Sequence, residues 1–286
     1  VYKRQLERCC RSPAAPYDTM TSDAKEYFRK VFDEAEDYDH GVGLFAAFGA
    51  HLVDGSGLEP GDRVLDLCCG RGASLVPAAR RVGPNGRAIG VDLSPEMVRR
   101  SNDALSAEGL AHRAEAVVGD IDALRFADGE FDRVLCGFGV FFSGDAPAML
   151  AGVRRVLRAD GLFTLSLFSG LPLWPWLFEV IVRRAKDVPR DEHPMWSADG
   201  AAGELRRAGF SDPTRLDVTE NVVFASADAL WTQLWSLGTR PLLEQMDDPT
   251  RQLVRSDIAE HLEAHRVEGG FASTSTATIL SARCAA

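Results

Sequence analysis

Four short stretches in the first half of the chain carry acids and glycines at spacings that suit one ligand. The first is Val64-Leu65-Asp66-Leu67-Cys68-Cys69-Gly70-Arg71-Gly72. An apolar run ends there and glycines follow, the pattern of a strand-to-helix junction whose backbone can approach a ligand closely. A dinucleotide site needs G-x-G-x-x-G to seat a pyrophosphate on a helix N-terminus. Those positions here are Cys68, Gly70 and Ala73, a poor match. Asp66 would also repel a pyrophosphate, whereas a carboxylate there suits an ammonium group or organises the loop. The second stretch, R-A-I-G-V-D, ends in Asp92, which can accept hydrogen bonds from both hydroxyls of a ribose. The third is Gly119-Asp120-Ile121, where Asp120 can take the amino group of an adenine while Ile121 and Leu93 cover its faces. The fourth, Cys136-Gly137-Phe138-Gly139, offers small residues that leave room for a reacting centre. A ligand with an amino-acid end and a nucleoside end meets all these requirements.

The elements that must position these residues alternate between strand and helix. Residues 63–67, 87–92, 114–118, 131–136 and 162–168 read as strands, the fourth and fifth introduced by the turns Ala127-Asp128-Gly129 and Ala159-Asp160-Gly161. Helices are expected over 74–82, over 95–108 with Ser94 as cap and Pro95 in the first position, and from Asp145 to about Leu157. This alternation implies a parallel sheet covered on both faces, with ligands bound at the carboxyl ends of the strands. Two helices precede it, at 23–37 behind Thr21 and Ser22, and at 42–53.

The rhythm breaks after residue 169. Residues 170–197 hold Trp174, Trp176, Phe178 and Trp196. Helices are expected at 198–209, 227–237 and 249–266, more than one strand segment at 212–224, and a final alternating strand at 271–283. With no linker visible, residues 20–286 read as a single domain in which 170–197 and 226–266 are insertions covering a substrate. The basic stretch 1–19 lacks the apolar centre of a signal peptide and reads as a disordered upstream segment.

Composition narrows the function classes. The chain has 286 residues, 45% of them hydrophobic, and a formal net charge of −10. That balance argues against a dedicated nucleic-acid binder. The longest apolar run, near 171–182, is too short for a membrane span, so no stable membrane insertion is expected. The six cysteines show no C-x-x-C spacing, which excludes the usual zinc and disulfide frameworks and suits a reduced, cytoplasmic protein.

Taken in order, V-L-D-L-C-C-G-R-G, G-V-D-L-S-P-E-M, G-D-I-D-A-L, F-D-R-V and V-L-R-A-D-G resemble the motifs of class I S-adenosylmethionine-dependent methyltransferases. Their spacing is most similar to the ubiquinone/menaquinone-biosynthesis methyltransferase-like (methyltransferase type 11) group, over about residues 27–168. The resemblance implies a Rossmann-like α/β fold: a seven-stranded, mainly parallel sheet, helices on both faces, and a helical lid or insertion. It implies S-adenosyl-L-methionine as cofactor, with Asp66, Cys68, Gly70 and Gly72 at its methionine end, Asp92 at the ribose, Leu93, Asp120 and Ile121 at the adenine, and Gly137 beside the reacting centre. Two positions depart from the group's pattern. Cys68 replaces the usual first glycine of the loop, and Arg71 stands where a small hydroxyl residue is common, its long side chain reaching toward the substrate entrance.

The expected reaction is methyl transfer to O, C or N of a small apolar, aromatic or isoprenoid acceptor. Methylation of RNA or protein is a second reading, and a cofactor-binding sensor or partner subunit without activity a third. Candidate bases are Tyr38 and His40, in a segment that covers the site in similar enzymes, and His193 in the aromatic insertion; each also reads as a surface or packing residue. Residues 171–178 with Phe141 and Phe142 suggest an apolar acceptor pocket or ordinary core. His261 and His265 share a helix face, but H-L-E-A-H lacks the glutamate position of a zinc protease, so no metal site is expected.

Overall fold

The computed structural model describes residues 20–35, 38, 43–168, 175–184, 197–235 and 239–284. Helices α1 (Ser22–Asp33) and α2 (Leu44–Gly55) precede the sheet. Then come β1 (Arg63–Leu67), α3 (Leu75–Val82), β2 (Arg87–Asp92), α4 (Pro95–Ala107), β3 (Ala114–Val118), β4 (Phe131–Gly137), α5 (Ala146–Val156) and β5 (Leu157–Phe168). The second half holds α6 (Pro175–Arg184), α7 (Ala198–Arg207), β6 (Thr214–Phe224), α8 (Ala227–Trp235), α9 (Arg240–Glu244), α10 (Asp248–Glu263), β7 (Arg266–Val267) and β8 (Gly270–Arg283).

The sheet runs β3-β2-β1-β4-β5-β8-β6, with the two-residue β7 paired to β8. The first five strands are parallel, and β8 lies antiparallel between β5 and β6. Strand order reverses beside β1, between β2 and β4, and the ligand crevice of such a sheet opens at that point. Val64, Leu65 and Leu67 of β1 are fully buried, as a strand covered on both faces requires. Leu52, Ala78, Ala79 and Leu105 bring α2, α3 and α4 against one face, where Leu135 points. Met149, Leu150, Val153 and Leu205 bring α5 and α7 against the other, where Leu65, Val134 and Leu165 point. A further apolar cluster joins Phe45, Phe48 and Phe138 to Leu177 and Ile181 of α6 and to helices α8, α9 and α10.

The caps explain where the helices start. Ser94 Oγ accepts from the Met97 N–H with Pro95 behind it, and Asp145 accepts from the Ala148 N–H. Thr21, Ser197 and Asp247 cap α1, α7 and α10 in the same way.

Several boundaries differ from the sequence reading. The expected turn 159–161 lies inside β5: Leu157 pairs with Phe131, and the register then jumps so that Leu162 pairs with Arg133. Asp160 takes a left-handed φ of 63° within that irregularity. Residues 214–224 form one strand, not several, because β8 pairs with it along its whole length. The helix expected over 249–266 ends at Glu263, and Arg266–Val267 becomes β7, turning back onto β8 through Gly269 and Gly270. The first helix stops at Asp33, and the second starts at Leu44 behind the left-handed Gly43. No helix among the described residues is long and apolar enough to cross a membrane.

Candidate active site

The loop after β1 is built from three left-handed residues. Cys68, Gly70 and Gly72 have φ of 53°, 53° and 90°. The Cys69 N–H bonds to the Val91 carbonyl (3.0 Å) and the Gly72 N–H to the Cys69 carbonyl (2.9 Å), which folds the loop over the end of β2. Cys68 is thus a β-carbon-bearing residue in a conformation that costs roughly 1–3 kcal/mol. Its side chain is accommodated because the facing residue is Gly139: a Cβ added at Gly139 would lie 2.5 Å from Cys68 Cβ and 3.0 Å from Cys136 Sγ. The Gly139→Ala variant is therefore expected to lose about 1–3 kcal/mol of stability through overpacking. Adding Cys68→Gly to it should recover most of that loss in urea melts. Equal stability of the single and double variants would show that the two residues do not compete for space.

Asp66 is completely buried on β1. Its Oδ2 accepts from Ser74 Oγ (2.7 Å), while its Oδ1 has no hydrogen-bond partner. Burial pushes its carboxyl up to about 7, against the Ser74 hydrogen bond, and the charge of Asp92 adds to the rise. A buried carboxylate with one oxygen unmatched is a ready partner for a cation.

Asp92, at the end of β2, accepts from the Gly70 N–H at Oδ2 (2.8 Å) and from the Ser94 N–H at Oδ1 (3.0 Å). Burial raises its carboxyl above the ordinary range despite these two donors. It lines a cleft of about 90 Å³ together with Leu93, Gly119, Asp120, Ile121 and Gly137. A second cleft of about 510 Å³ runs between α2 and the glycine loop, past Gly70, Gly72, Ser74 and Ser166. Tyr38, Cys68, Gly70, Gly137 and Phe138 line both clefts. The structure thus gathers all nine residues singled out for the cofactor around the carboxyl ends of β1 to β4.

Three features of the site were not anticipated. Asp120 is not a free acid: Lys25 of α1 donates to its Oδ1 (2.6 Å) and Oδ2 (2.8 Å) and to Asp122 Oδ2 (2.7 Å). An adenine amino group would share that carboxylate with Lys25. Arg71 donates from Nη1 to the Tyr38 carbonyl (2.5 Å), so it ties residue 38 to the loop. Gly49 of α2 lies hard against the loop: a Cβ there would stand 2.2 Å from the Ala73 carbonyl oxygen.

Of the three candidate bases, Tyr38 stacks on Phe45 (5.1 Å between centroids) beside the junction of the clefts. His40 and His193 lie outside the described residues, as do Trp174 and Trp196. Phe45 and Phe48 pack edge-on against Phe138, which stacks on Phe168 at 4.1 Å. Phe142 packs against Phe28 and Phe32 of α1 and lines the smaller cleft with them. Trp176 stacks on His261, and His261 on His265, away from the clefts.

A family model described as a methyltransferase domain matches residues 64–161. Nocamycin O-methyltransferase of Saccharothrix syringae is 32% identical over 265 residues, which cover 85% of this chain and 94% of that protein. The ubiquinone/menaquinone biosynthesis C-methyltransferase of Hydrogenovibrio crunogenus is 28% identical over 218 residues, 68% of this chain and 85% of that one. Among solved structures, geranyl diphosphate methyltransferase in complex with S-adenosylmethionine shares the fold with a TM-score of 0.51 and 18% identity, over 83% of this chain and 84% of that chain.

Proposed function

Since this chain belongs to the S-adenosylmethionine-dependent methyltransferases, we propose that it methylates a small hydroxylated aromatic or isoprenoid acceptor at oxygen. The observation that carries the donor half of this reading is the unmatched, buried Asp66 Oδ1, joined through Ser74 to the wall of the larger of two clefts that share walls. A ligand with an ammonium end and a nucleoside end uses both. Asp66 would hold the ammonium group, with Cys68, Gly70 and Gly72 shaping the backbone around the amino-acid end. Asp92 would hold the ribose hydroxyls, and Leu93, Ile121 and Asp120 the adenine. The bound donor supplies a methyl group on a positively charged sulfur, already a strong electrophile.

The protein's remaining task is alignment and exclusion of water. Gly137 leaves space where the clefts meet, and the Tyr38, Phe45 and Phe138 rings support an apolar wall for the acceptor. Residues 170–197 and 226–266 are read as its cover, since α6, α8, α9 and α10 pack on the same cluster as those phenylalanines. Tyr38, which lines both clefts, is read as the residue that orients the acceptor hydroxyl. An acceptor ionised near neutral pH needs no base at all. The choice of oxygen follows the nocamycin enzyme, whose similarity extends over most of both chains.

Calorimetry should show S-adenosylmethionine binding and no comparable binding of NAD. Asp92→Ala should weaken that binding by about 1–3 kcal/mol, the cost of buried hydrogen bonds to the ribose. Methyl-labelled donor offered with phenols, quinols and prenyl alcohols should label the oxygen of one of these acceptors. Labelling of carbon or nitrogen alone would overturn the assignment of the attacked atom.

A further inference from the structure

Ser166 is the other unmatched polar group at this site. It sits on β5, 1% exposed, and its Oγ has no hydrogen-bond partner. It lines the larger cleft. Its backbone is fixed, since its carbonyl accepts from the Phe138 N–H (3.1 Å) and the residue pairs with Gly137 across the sheet.

The register explains what it faces. Directly opposed residues in a parallel sheet point to the same face. Asp66 is opposite Leu135 and Leu135 opposite Thr164, so Asp66, Thr164, Gly137 and Ser166 share the face toward α2 and α3. On that face Thr164 is satisfied by Ser281 (3.1 Å). Ser166, one step nearer the carboxyl ends, has no such neighbour. Gly137 lies between Ser166 and the loop. Its missing Cβ would stand 3.5 Å from Leu52 Cδ2, 3.8 Å from Ser166 Oγ and 3.9 Å from Ser74 Oγ, and Ser74 is the residue bonded to Asp66. Two hydroxyls, one of them bonded to the buried Asp66 carboxylate, therefore flank a point that carries no side chain of its own. Each can accept a hydrogen bond, and two of the acceptors, Asp66 Oδ1 and Ser166 Oγ, are unused. A group with several N–H donors and a positive charge completes such a set; an anion would be repelled by Asp66.

We propose that Ser166 is a further donor-binding residue, its hydroxyl accepting a hydrogen bond from the ammonium group of S-adenosylmethionine opposite Asp66. The inference rests on the reading of the larger cleft as the seat of the amino-acid end. Its test uses S-adenosylhomocysteine, which keeps that ammonium group, and the analogue lacking only the amino group, both titrated by calorimetry into the protein.

Ser166→Ala should bind S-adenosylhomocysteine about tenfold more weakly than wild type, and the deaminated analogue equally well. The thermal midpoint of the variant should not fall, because an unpaired buried hydroxyl has been removed. Ser166→Cys, which keeps the shape of the side chain but is a poor acceptor, should show the same selective loss. Unchanged affinity for S-adenosylhomocysteine overturns the proposal, as does an equal loss for both ligands. Wild-type protein that binds neither ligand would instead overturn the underlying reading of the cleft. Wild-type protein that binds both equally overturns the ammonium site while leaving the nucleoside site standing.

Discussion

Asp66→Asn is expected to weaken donor binding roughly 10- to 100-fold at pH 8 while raising the thermal midpoint of the empty protein. Both effects follow from one carboxyl group. In the empty protein, burial lifts Asp66 from 3.8 to about 7. The folded chain therefore keeps a proton that the unfolded chain releases once the pH passes 3.8. Where the folded state binds more protons, stability falls as pH rises. The fall runs from about pH 4 to pH 7 and amounts to about 4 kcal/mol. Asparagine carries no charge to bury, so the variant should lack this decline and melt several degrees higher at pH 8. The donor sees the opposite balance. An ammonium group next to ionised Asp66 gains a charge-assisted hydrogen bond worth about 1.5–3 kcal/mol, which asparagine cannot supply. Only the ionised carboxyl offers that bond, so wild-type affinity should rise about tenfold between pH 6 and pH 8. The variant's affinity should be flat over that interval. Calorimetry at the two pH values, paired with melting curves on the empty protein, checks all of this. If the variant binds the donor like wild type at both pH values, Asp66 serves only to hold Ser74 and the loop.

Much of this site is legible in the sequence because its residues are local to strand ends. V-L-D-L and I-G-V-D are apolar runs stopped by an acid or a glycine, and in a parallel sheet the stop lies in the crevice. Asp66, Asp92, Gly119 and Gly137 could be placed from that rule alone. Ser94-Pro95 and Asp145 mark their helices by capping chemistry that acts over three residues. What escaped the sequence depends on residues far apart in the chain. Lys25 and Asp120 are 95 positions apart, and no spacing rule brings a lysine of the first helix to the end of β3. Arg71, expected at the entrance, lines the larger cleft, but its partner is a backbone carbonyl 33 positions earlier, which has no sequence signature. Cys68 departs from the usual pattern of the glycine loop. It fits because Gly139, 71 residues later, has no side chain, and that pairing is visible only in three dimensions. Strand β6 is expected from its sequence to span more than one segment, and residues 214–217 are exposed. Its pairing with β8, not its own pattern, makes it one strand.

Gly49→Ala should destabilise the protein by about 1–3 kcal/mol and weaken donor binding with it. On an exposed helix the same change would stabilise by about 1 kcal/mol, since alanine is the better helix former. The sign therefore reports packing. Gly49 sits in the middle of α2, where its bare Cα meets the loop after β1. An added Cβ would fall 2.2 Å from the Ala73 oxygen, 2.5 Å from its carbonyl carbon and 3.0 Å from the Ser74 nitrogen. All three are backbone atoms, so no side chain can rotate aside. Either α2 moves outward or residues 73–74 move inward. The first choice disturbs Leu52 and Phe48, both buried below 2% exposure on that helix. The second moves Ser74, whose hydroxyl holds Asp66, and with it Gly72, one residue before Ala73. Overpacking of a close-packed contact costs about 1–3 kcal/mol and is relieved by such shifts. Donor affinity is expected to drop several-fold even though Gly49 makes no polar contact. Urea denaturation gives the stability and calorimetry the affinity. A variant more stable than wild type would show that α2 and the glycine loop are not in close contact in solution. A variant that loses stability yet binds the donor normally would show that the loop keeps its shape without the helix behind it.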